Sequence, residues 1–401
     1  MTSASTEATP ASTGTMRQVA TPSSTPSSPL SERPLRVLRI SHSGVVTAWR
    51  QRERELRRRG VDVTLVTATR WEEGGSMVDA TPSGDEFVVP VRTFGRHPNL
   101  FVYDPRPLWR LLGSGPWDLI DLHEEPFGVA VAEVLALRRL RARRVPFVLY
   151  TAQNIEKRYP PPFRWLERRS LHRAAGAYPC NAEAGRILRS KGFDGALVVL
   201  PLGVDVERFR PIDRGPPSAR LRVGFVGRLI PHKGVDVLLE AVTPDDRLSV
   251  DIYGDGPEAG NLSALAGRLG ITHRVSFHGH VDESELPALY PGLDVLAVPS
   301  VPVPGWIEQF GRVVVEAQAS GVPVVASASG ALPEVVGDRG LLVPPGDSVA
   351  LRAALGRLLD EPGLWLELRA AGVVGAEDYS WTSVANAQLE LYRRAAGRSG
   401  P

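Results

Sequence analysis

Three short stretches of this sequence carry residue types suited to holding an anion. The first is Gly227-Arg228-Leu229-Ile230-Pro231-His232-Lys233-Gly234, directly after the apolar run Leu221–Val226 and ahead of a helical pattern. A tight turn at a helix N-terminus presents free N–H groups and the positive end of the helix dipole. Arg228 and Lys233 add full charges that suit a diphosphate. The stretch lacks the glycine spacing and the Lys-Ser/Thr pair of a Walker A loop. Taken alone, it reads equally well as a surface loop with two incidental cations.

The second stretch is Tyr253-Gly254-Asp255-Gly256-Pro257, again closing an apolar run. Its glycines admit a ligand close to the backbone, and Pro257 suits a first helical position. Gly254-x-Gly256 followed by Gly260 is one residue longer than a dinucleotide fingerprint, so a turn without a ligand is the competing reading. The third is Glu308-Gln309-Phe310-Gly311-Arg312-Val313, with Glu316 on the helix that follows. A carboxylate on the inner side of a helix is costly unless it accepts hydrogen bonds, and paired ribose hydroxyls would supply them. Glu316 by itself reads as a helix-surface carboxylate; beside the first stretch it reads as part of a site. A fourth candidate is His123, at the carboxyl end of the run Trp117–Leu122, where it can face a cleft and handle a proton. A single histidine is more often structural, and Glu124 and Glu125 beside it fit either role.

These residues need a scaffold that brings strand ends together. Apolar runs alternate with helical patterns from Leu35 to Ala326: strands at Leu35–Ile40, Val61–Thr67, Trp117–Leu122, Pro146–Tyr150 and Ala196–Leu200, then at Leu221–Val226, Leu248–Tyr253, Arg274–Phe277, Asp294–Val298 and Val322–Ala326. The helices between them include Val45–Arg59, Phe127–Arg143, Pro162–Ala175, Ala182–Lys191, Gly234–Val242, Pro257–Leu269, Glu283–Tyr290 and Arg312–Ser320. Such alternation predicts an α/β fold with two doubly wound, Rossmann-like domains facing a cleft, ligands lying at strand carboxyl ends. The proline-bracketed stretch Pro201–Pro217 reads as the linker. Residues 1–33, rich in Ser, Thr, Pro and Ala, read as a disordered tail without the apolar core of a secretory signal. The expected division is then 34–204, 205–378 and a terminal helix in 379–401 that packs back on the first domain.

Length and composition agree with two globular domains: 401 residues, 43% hydrophobic and 23% charged. No apolar run is long enough to span a bilayer. Cys180 is the only cysteine, which excludes an intramolecular disulfide and makes a cytoplasmic location the expectation. The net charge of +2 is unevenly distributed: residues 34–200 hold 27 basic and 18 acidic side chains, and residues 201–401 hold 18 and 25. The basic half is either a set of solvated helix faces or an attraction for an anionic partner.

Taken together, the motifs resemble family 4 of the retaining glycosyltransferases, which have the two-domain GT-B fold. The likeness runs from about Pro34 to Arg394 and is most specific in Gly227–Gly234 and in Glu308 with Glu316; Gly203-Val204-Asp205, Ala331–Val335 and Gly340–Gly346 extend it. The resemblance implies a nucleotide diphosphate sugar as donor, UDP- or GDP-linked. Arg228 and Lys233 would hold its diphosphate, Glu316 its ribose and Glu308 the sugar hydroxyls. Gly44, Gly227, Gly254 and the backbone at Phe310, Gly311, Arg312 and Val313 would complete the donor site. His123 would be the acceptor-side histidine, catalytic with Arg228, Lys233 and Glu308. Where the family often has consecutive glycines in its first loop, this chain has Ser43-Gly44-Val45-Val46. No metal or other cofactor is expected, and no nucleic acid partner. The expected acceptor is an unidentified hydroxyl, on a cell-envelope glycolipid or polysaccharide precursor first, on a small secondary metabolite or cyclitol second. The expected membrane contact is peripheral, through the basic half, at the inner face of the cell membrane. The rival classes are a nucleotide-sugar binding protein without turnover and a related epimerase or phosphorylase.

Overall fold

Strands buried on both faces of a parallel sheet read as unbroken apolar runs, and this chain supplies two sets of them. A computed structural model describes residues 33–73, 76–81 and 84–398; the expected tail, 1–33, lies almost wholly outside the described residues. In the first sheet the strand order is Ala196–Leu197, Gly176–Pro179, Phe147–Thr151, Leu119–Leu122, Leu35–Ile40, Val61–Ala68, Val88–Val91. In the second it is Val275–Gly279, Leu248–Tyr253, Leu221–Val226, Val295–Val298, Val324–Ser327, Leu341–Val343. All neighbours are parallel. Each sheet starts at a central strand, builds outward to one side, then returns to the other. The turning point opens a crevice at strand carboxyl ends. It lies between Leu35–Ile40 and Leu119–Leu122 in the first sheet, and between Leu221–Val226 and Val295–Val298 in the second.

Both sheets are covered on both faces. Leu38, Ile40, Val66, Ile120 and Leu149 face one side of the first sheet; Val37, Val63, Leu119 and Val148 face the other. That second side is closed by the helix Trp381–Ala395, whose Ala385, Leu389, Leu391 and Tyr392 join the same cluster. The last helix of the chain thus packs on its first strands. Burying each such side chain contributes about 1.5–3 kcal/mol.

Several expected elements differ. The helix expected over Val45–Arg59 is instead two short 3-10 turns, His42–Val45 and Thr47–Arg50, followed by the α-helix Gln51–Arg58. Arg50 is the cause: its Nε donates to Gly44 O at 2.7 Å and its Nη2 to Val45 O at 3.2 Å, taking the carbonyls a continuous helix would use. Pro257 lies in a turn, and the helix after it begins at Ala259. The short strands Gly176–Pro179 and Val88–Val91 do not stand out in the sequence because each has only four residues, and each includes a proline.

Candidate active site

The motif loops converge because both follow strands at the turning point of the second sheet. Gly234 has φ +69°, and a Cβ there would stand 2.0 Å from Pro299 O, so only glycine lets the two loops touch. Val301 N donates to His232 O at 2.9 Å and stitches them together. The result is a short contact: Lys233 Nζ lies 2.7 Å from Glu308 Oε2, and Ser300 Oγ donates to the same oxygen at 3.2 Å. Trp306 covers the pair, with Lys233 Nζ 5.3 Å from its ring centroid. Glu308 is buried. Arg228 sits exposed on the same loop and pairs with no carboxylate among the described residues.

Gly311, at φ +84°, turns the chain into the helix Arg312–Ala319, and Phe310 is buried beneath that turn. Val313 is half-buried on the first turn of the helix, while Arg312 reaches across the cleft and lies 4.5 Å from the Trp49 ring centroid. Glu316 is buried, and burial raises its pKa above the ordinary carboxylate value, with Arg312 opposing. Its Oε2 accepts from Tyr290 Oη at 2.8 Å. One of the hydrogen bonds that the sequence reading assigned to ribose hydroxyls is therefore internal. Tyr290 lies far upstream and gave no signal; Ser300, next to Pro299 at a strand end, could have been found by its position. Gly254 also has an internal explanation: a Cβ there would meet Gly227 O at 1.8 Å, so the glycine accommodates the neighbouring loop.

On the other side of the cleft, His123 follows its strand as expected, with its backbone N donating to Ile40 O at 2.9 Å. Its ring lies against Tyr150, centroids 3.9 Å apart, and Nδ1 is 3.1 Å from Tyr178 Oη. Tyr178 Oη donates its proton to Asp121 and accepts from Arg39 at 3.0 Å. With that hydroxyl proton already engaged, Tyr178 oxygen serves as acceptor for His123 Nδ1–H, which leaves Nε2 as the acceptor nitrogen. Burial, reinforced by Arg39 and Arg52, holds the His123 pKa well below its ordinary value, so the ring is neutral at neutral pH. Glu124 is saturated by His42 N at 2.7 Å, His42 Nδ1 at 2.5 Å and Tyr103 Oη at 2.9 Å, which is a structural role. Glu125 accepts from Thr151 Oγ1 at 2.6 Å and Ala152 N at 2.9 Å, and burial lifts its pKa to about 6. A pocket of about 340 Å³ takes in His123, Glu125, Gly44, Gln309 and Arg312, so it is lined from both sheets.

The comparisons with known proteins bear on the family and the fold. Residues 42–208 match the model for Glycosyltransferase Family 4, and residues 220–361 match that for Glycosyl transferases group 1. The chain belongs to the family 4 glycosyltransferases. Among curated relatives, it is 35% identical over 263 residues to a D-inositol 3-phosphate glycosyltransferase of Streptomyces scabiei, covering 59% of this chain and 57% of the relative. It is 37% identical over 235 residues to the Rhodococcus jostii protein of the same name, covering 53% of this chain and 51% of that one. The chain thus spans about half the length of the curated relatives it matches. Among solved structures, sucrose-phosphate synthase from Thermosynechococcus elongatus superposes with a TM-score of 0.68 at 20% identity, covering 91% of this chain and all of that one. Anabaena HepE in complex with UDP gives 0.70 at 18% identity, covering 89% and 98%. These likenesses establish the GT-B fold.

Proposed function

We propose that this family member is a retaining, metal-independent glycosyltransferase that moves a hexose-type sugar from a nucleotide diphosphate to an acceptor hydroxyl. The observation that carries the reading is the Lys233–Glu308 contact at the turning point of the second sheet, on the loop whose next residues, Gln309 and Arg312, line one pocket with His123. Lys233 and the exposed Arg228 supply the positive charge that a departing diphosphate needs, and preorganised charge at a developing anion is worth about 3–4 kcal/mol of barrier per group. Glu308 accepts from donor-sugar hydroxyls, Glu316 from the ribose, and the turn Phe310–Val313 turns N–H groups toward the diphosphate. The C1–O bond to the diphosphate breaks, the acceptor oxygen bonds to C1 on the same face, and its proton passes to a phosphate oxygen. Neutral His123, with Nε2 as acceptor, orients a substrate hydroxyl. UDP is the favoured nucleotide carrier, since the HepE neighbours are described with UDP and UDP-glucose.

For the acceptor, the names of the curated relatives favour a small cyclitol-type polyol over the envelope glycolipid that the sequence put first. Peripheral membrane contact has its own support. The helices Val129–Arg141 and Phe163–Leu171 flank a groove rimmed by Arg138, Arg139, Arg143, Arg169 and Arg173. Trp165 and Leu140 stand exposed on the same two helices. Each such cation contributes about 1 kcal/mol near an anionic surface, screened by salt. Salt-reversible co-sedimentation with anionic vesicles is the expected result; protein left in the supernatant at low salt removes the membrane from the account. No helix among the described residues is long and apolar enough to cross a bilayer.

The test of the donor is a thermal-shift panel of UDP-, GDP-, ADP- and dTDP-sugars followed by hydrolysis of the best binder, because a ligand that binds only the folded state raises Tm. One nucleotide series stabilising the protein and being turned over is the expected outcome. Binding without turnover, with or without candidate acceptors, would make this a nucleotide-sugar binding protein, and no binding at all would remove the donor site.

A further inference from the structure

The loop that carries Glu308 is held from the other half of the molecule. Asn154 Nδ2 donates to Glu308 O at 2.8 Å, and Asn181 Nδ2 donates to Gln309 O at 2.7 Å. Both amides are buried, with exposures of 4% and 1%. Both sit just beyond the carboxyl ends of first-sheet strands, Phe147–Thr151 and Gly176–Pro179. On its own side the Glu308 carbonyl also receives Ala331 N at 2.9 Å, and a Cβ on Gly330 would stand 2.1 Å from it, so the loop is clasped tightly there. Asn181 does two things at once: its Oδ1 accepts from Ala184 N at 2.8 Å as the cap of the helix Ala182–Ser190, which fixes the direction in which its amide points. Buried Cys180 Sγ also donates to Gln309 O at 3.6 Å, while two further contacts across the cleft come from exposed groups: Lys157 Nζ reaches Gly305 O at 3.0 Å, and Glu334 accepts from Ala182 N at 2.8 Å.

We infer that Asn154 and Asn181 are positioning residues for the donor site, holding the Glu308–Gln309 backbone so that the Glu308 carboxylate meets the transferred sugar only when the two halves are closed. This rests on the proposed transferase reading. The physical reason is the placement of the bonds. Two buried donors from one half grip consecutive carbonyls of the other, immediately before the turn Phe310–Gly311. An amide left without a partner in a buried interface is unfavourable, so opening the cleft costs both bonds unless water enters. A carboxylate displaced by about 1 Å from a reacting sugar loses on the order of 10²-fold in rate. The two asparagines therefore act on transfer without touching substrate.

The test uses the full chain, with Asn154→Ser and Asn181→Asp. The second keeps the capping oxygen and puts a carboxylate oxygen where the donor was, so that the grip on the Gln309 carbonyl becomes a repulsion. The expected result is a fall in kcat of about 10–100-fold for each, while affinity for bare UDP, read by calorimetry, changes less than about threefold, because Lys233 and Glu316 remain in place. Lys157→Ala, which removes an exposed cross-cleft bond, is expected to change kcat less than about threefold. A variant that only destabilises the fold would lower Tm yet keep kcat when assayed well below its melting range, and that outcome overturns the inference. Equal loss of UDP affinity and kcat also overturns it, since it would place the asparagines in nucleotide binding. If wild-type protein neither binds nor turns over a nucleotide sugar, the transferase reading falls; if it does both and the asparagine variants match it, only this inference falls.

Discussion

On the C-terminal side of the cleft, the chemistry is gathered by two loops: Lys233 reaches Glu308 at 2.7 Å because Gly234 lets one strand-end turn lie against the next. On the N-terminal side, His123 rests on a buried polar network drawn from the whole chain. Asp121 is fully buried and receives Arg39, Tyr178 Oη, Tyr392 Oη and, at 3.1 Å, Gln388 Nε2. Arg39 also meets Glu53 at 2.5 Å. The first region is rich in glycine and partly open, and truncating its charged side chains disturbs little packing. The second is a set of interlocked charges with little access to water, where each group is stable only because the others are present. In the proposed reading the C-terminal side would bind and release the donor, and the N-terminal side would keep one histidine in one orientation and one protonation state.

Substitutions at the two centres should separate these properties. Asp121→Ala leaves Arg39 with half its compensation and strands two buried hydroxyls, so a stability loss of about 3–5 kcal/mol is expected by chemical denaturation. It should also weaken the docking of the helix Trp381–Ala395, since Gln388 and Tyr392 lose their common acceptor. Lys233→Ala should do the reverse: a loss of transfer of about 10²–10³-fold with an almost unchanged denaturation midpoint. If Asp121→Ala proves stable, or Lys233→Ala unfolds, the division between a rigid side and a working side is wrong.

The same contrast explains what the sequence revealed. The turn Gly227–Gly234 was legible because turn chemistry is local: glycine, proline and lysine at fixed spacing after an apolar run carry their own geometry. The alternation of strands and helices was legible because burial on both faces leaves long apolar runs. The support under His123 was not legible. Arg39, Asp121, Tyr178 and Tyr392 lie on separate elements, and a buried charge inside a strand looks in sequence like an exposed position on an edge. Arg50 breaking the expected helix at Val45 is a case of the same kind, a side chain competing for backbone carbonyls. Glu316 was read as a carboxylate on the inner side of its helix, and it is buried there, with Tyr290 supplying part of what it needs. Asn154 and Asn181 are ordinary turn and cap residues by sequence, and only the facing carbonyls of Glu308 and Gln309 show what their amides hold.

Calorimetric titration of bare UDP into Glu316→Gln and Glu308→Gln is the most direct test of the donor site. The proposed function assigns Glu316 to the ribose, which UDP contains, and Glu308 to the transferred sugar, which UDP lacks. A hydrogen bond to a charged group is worth about 1.5–3 kcal/mol, so Glu316→Gln should weaken UDP by about tenfold or more. Glu308→Gln should leave UDP affinity within about twofold while lowering transfer from UDP-sugar by about 10². Equal weakening by both substitutions, or none by Glu316→Gln, would contradict the assignment of this cleft as a nucleotide-sugar site arranged around Lys233 and Glu308.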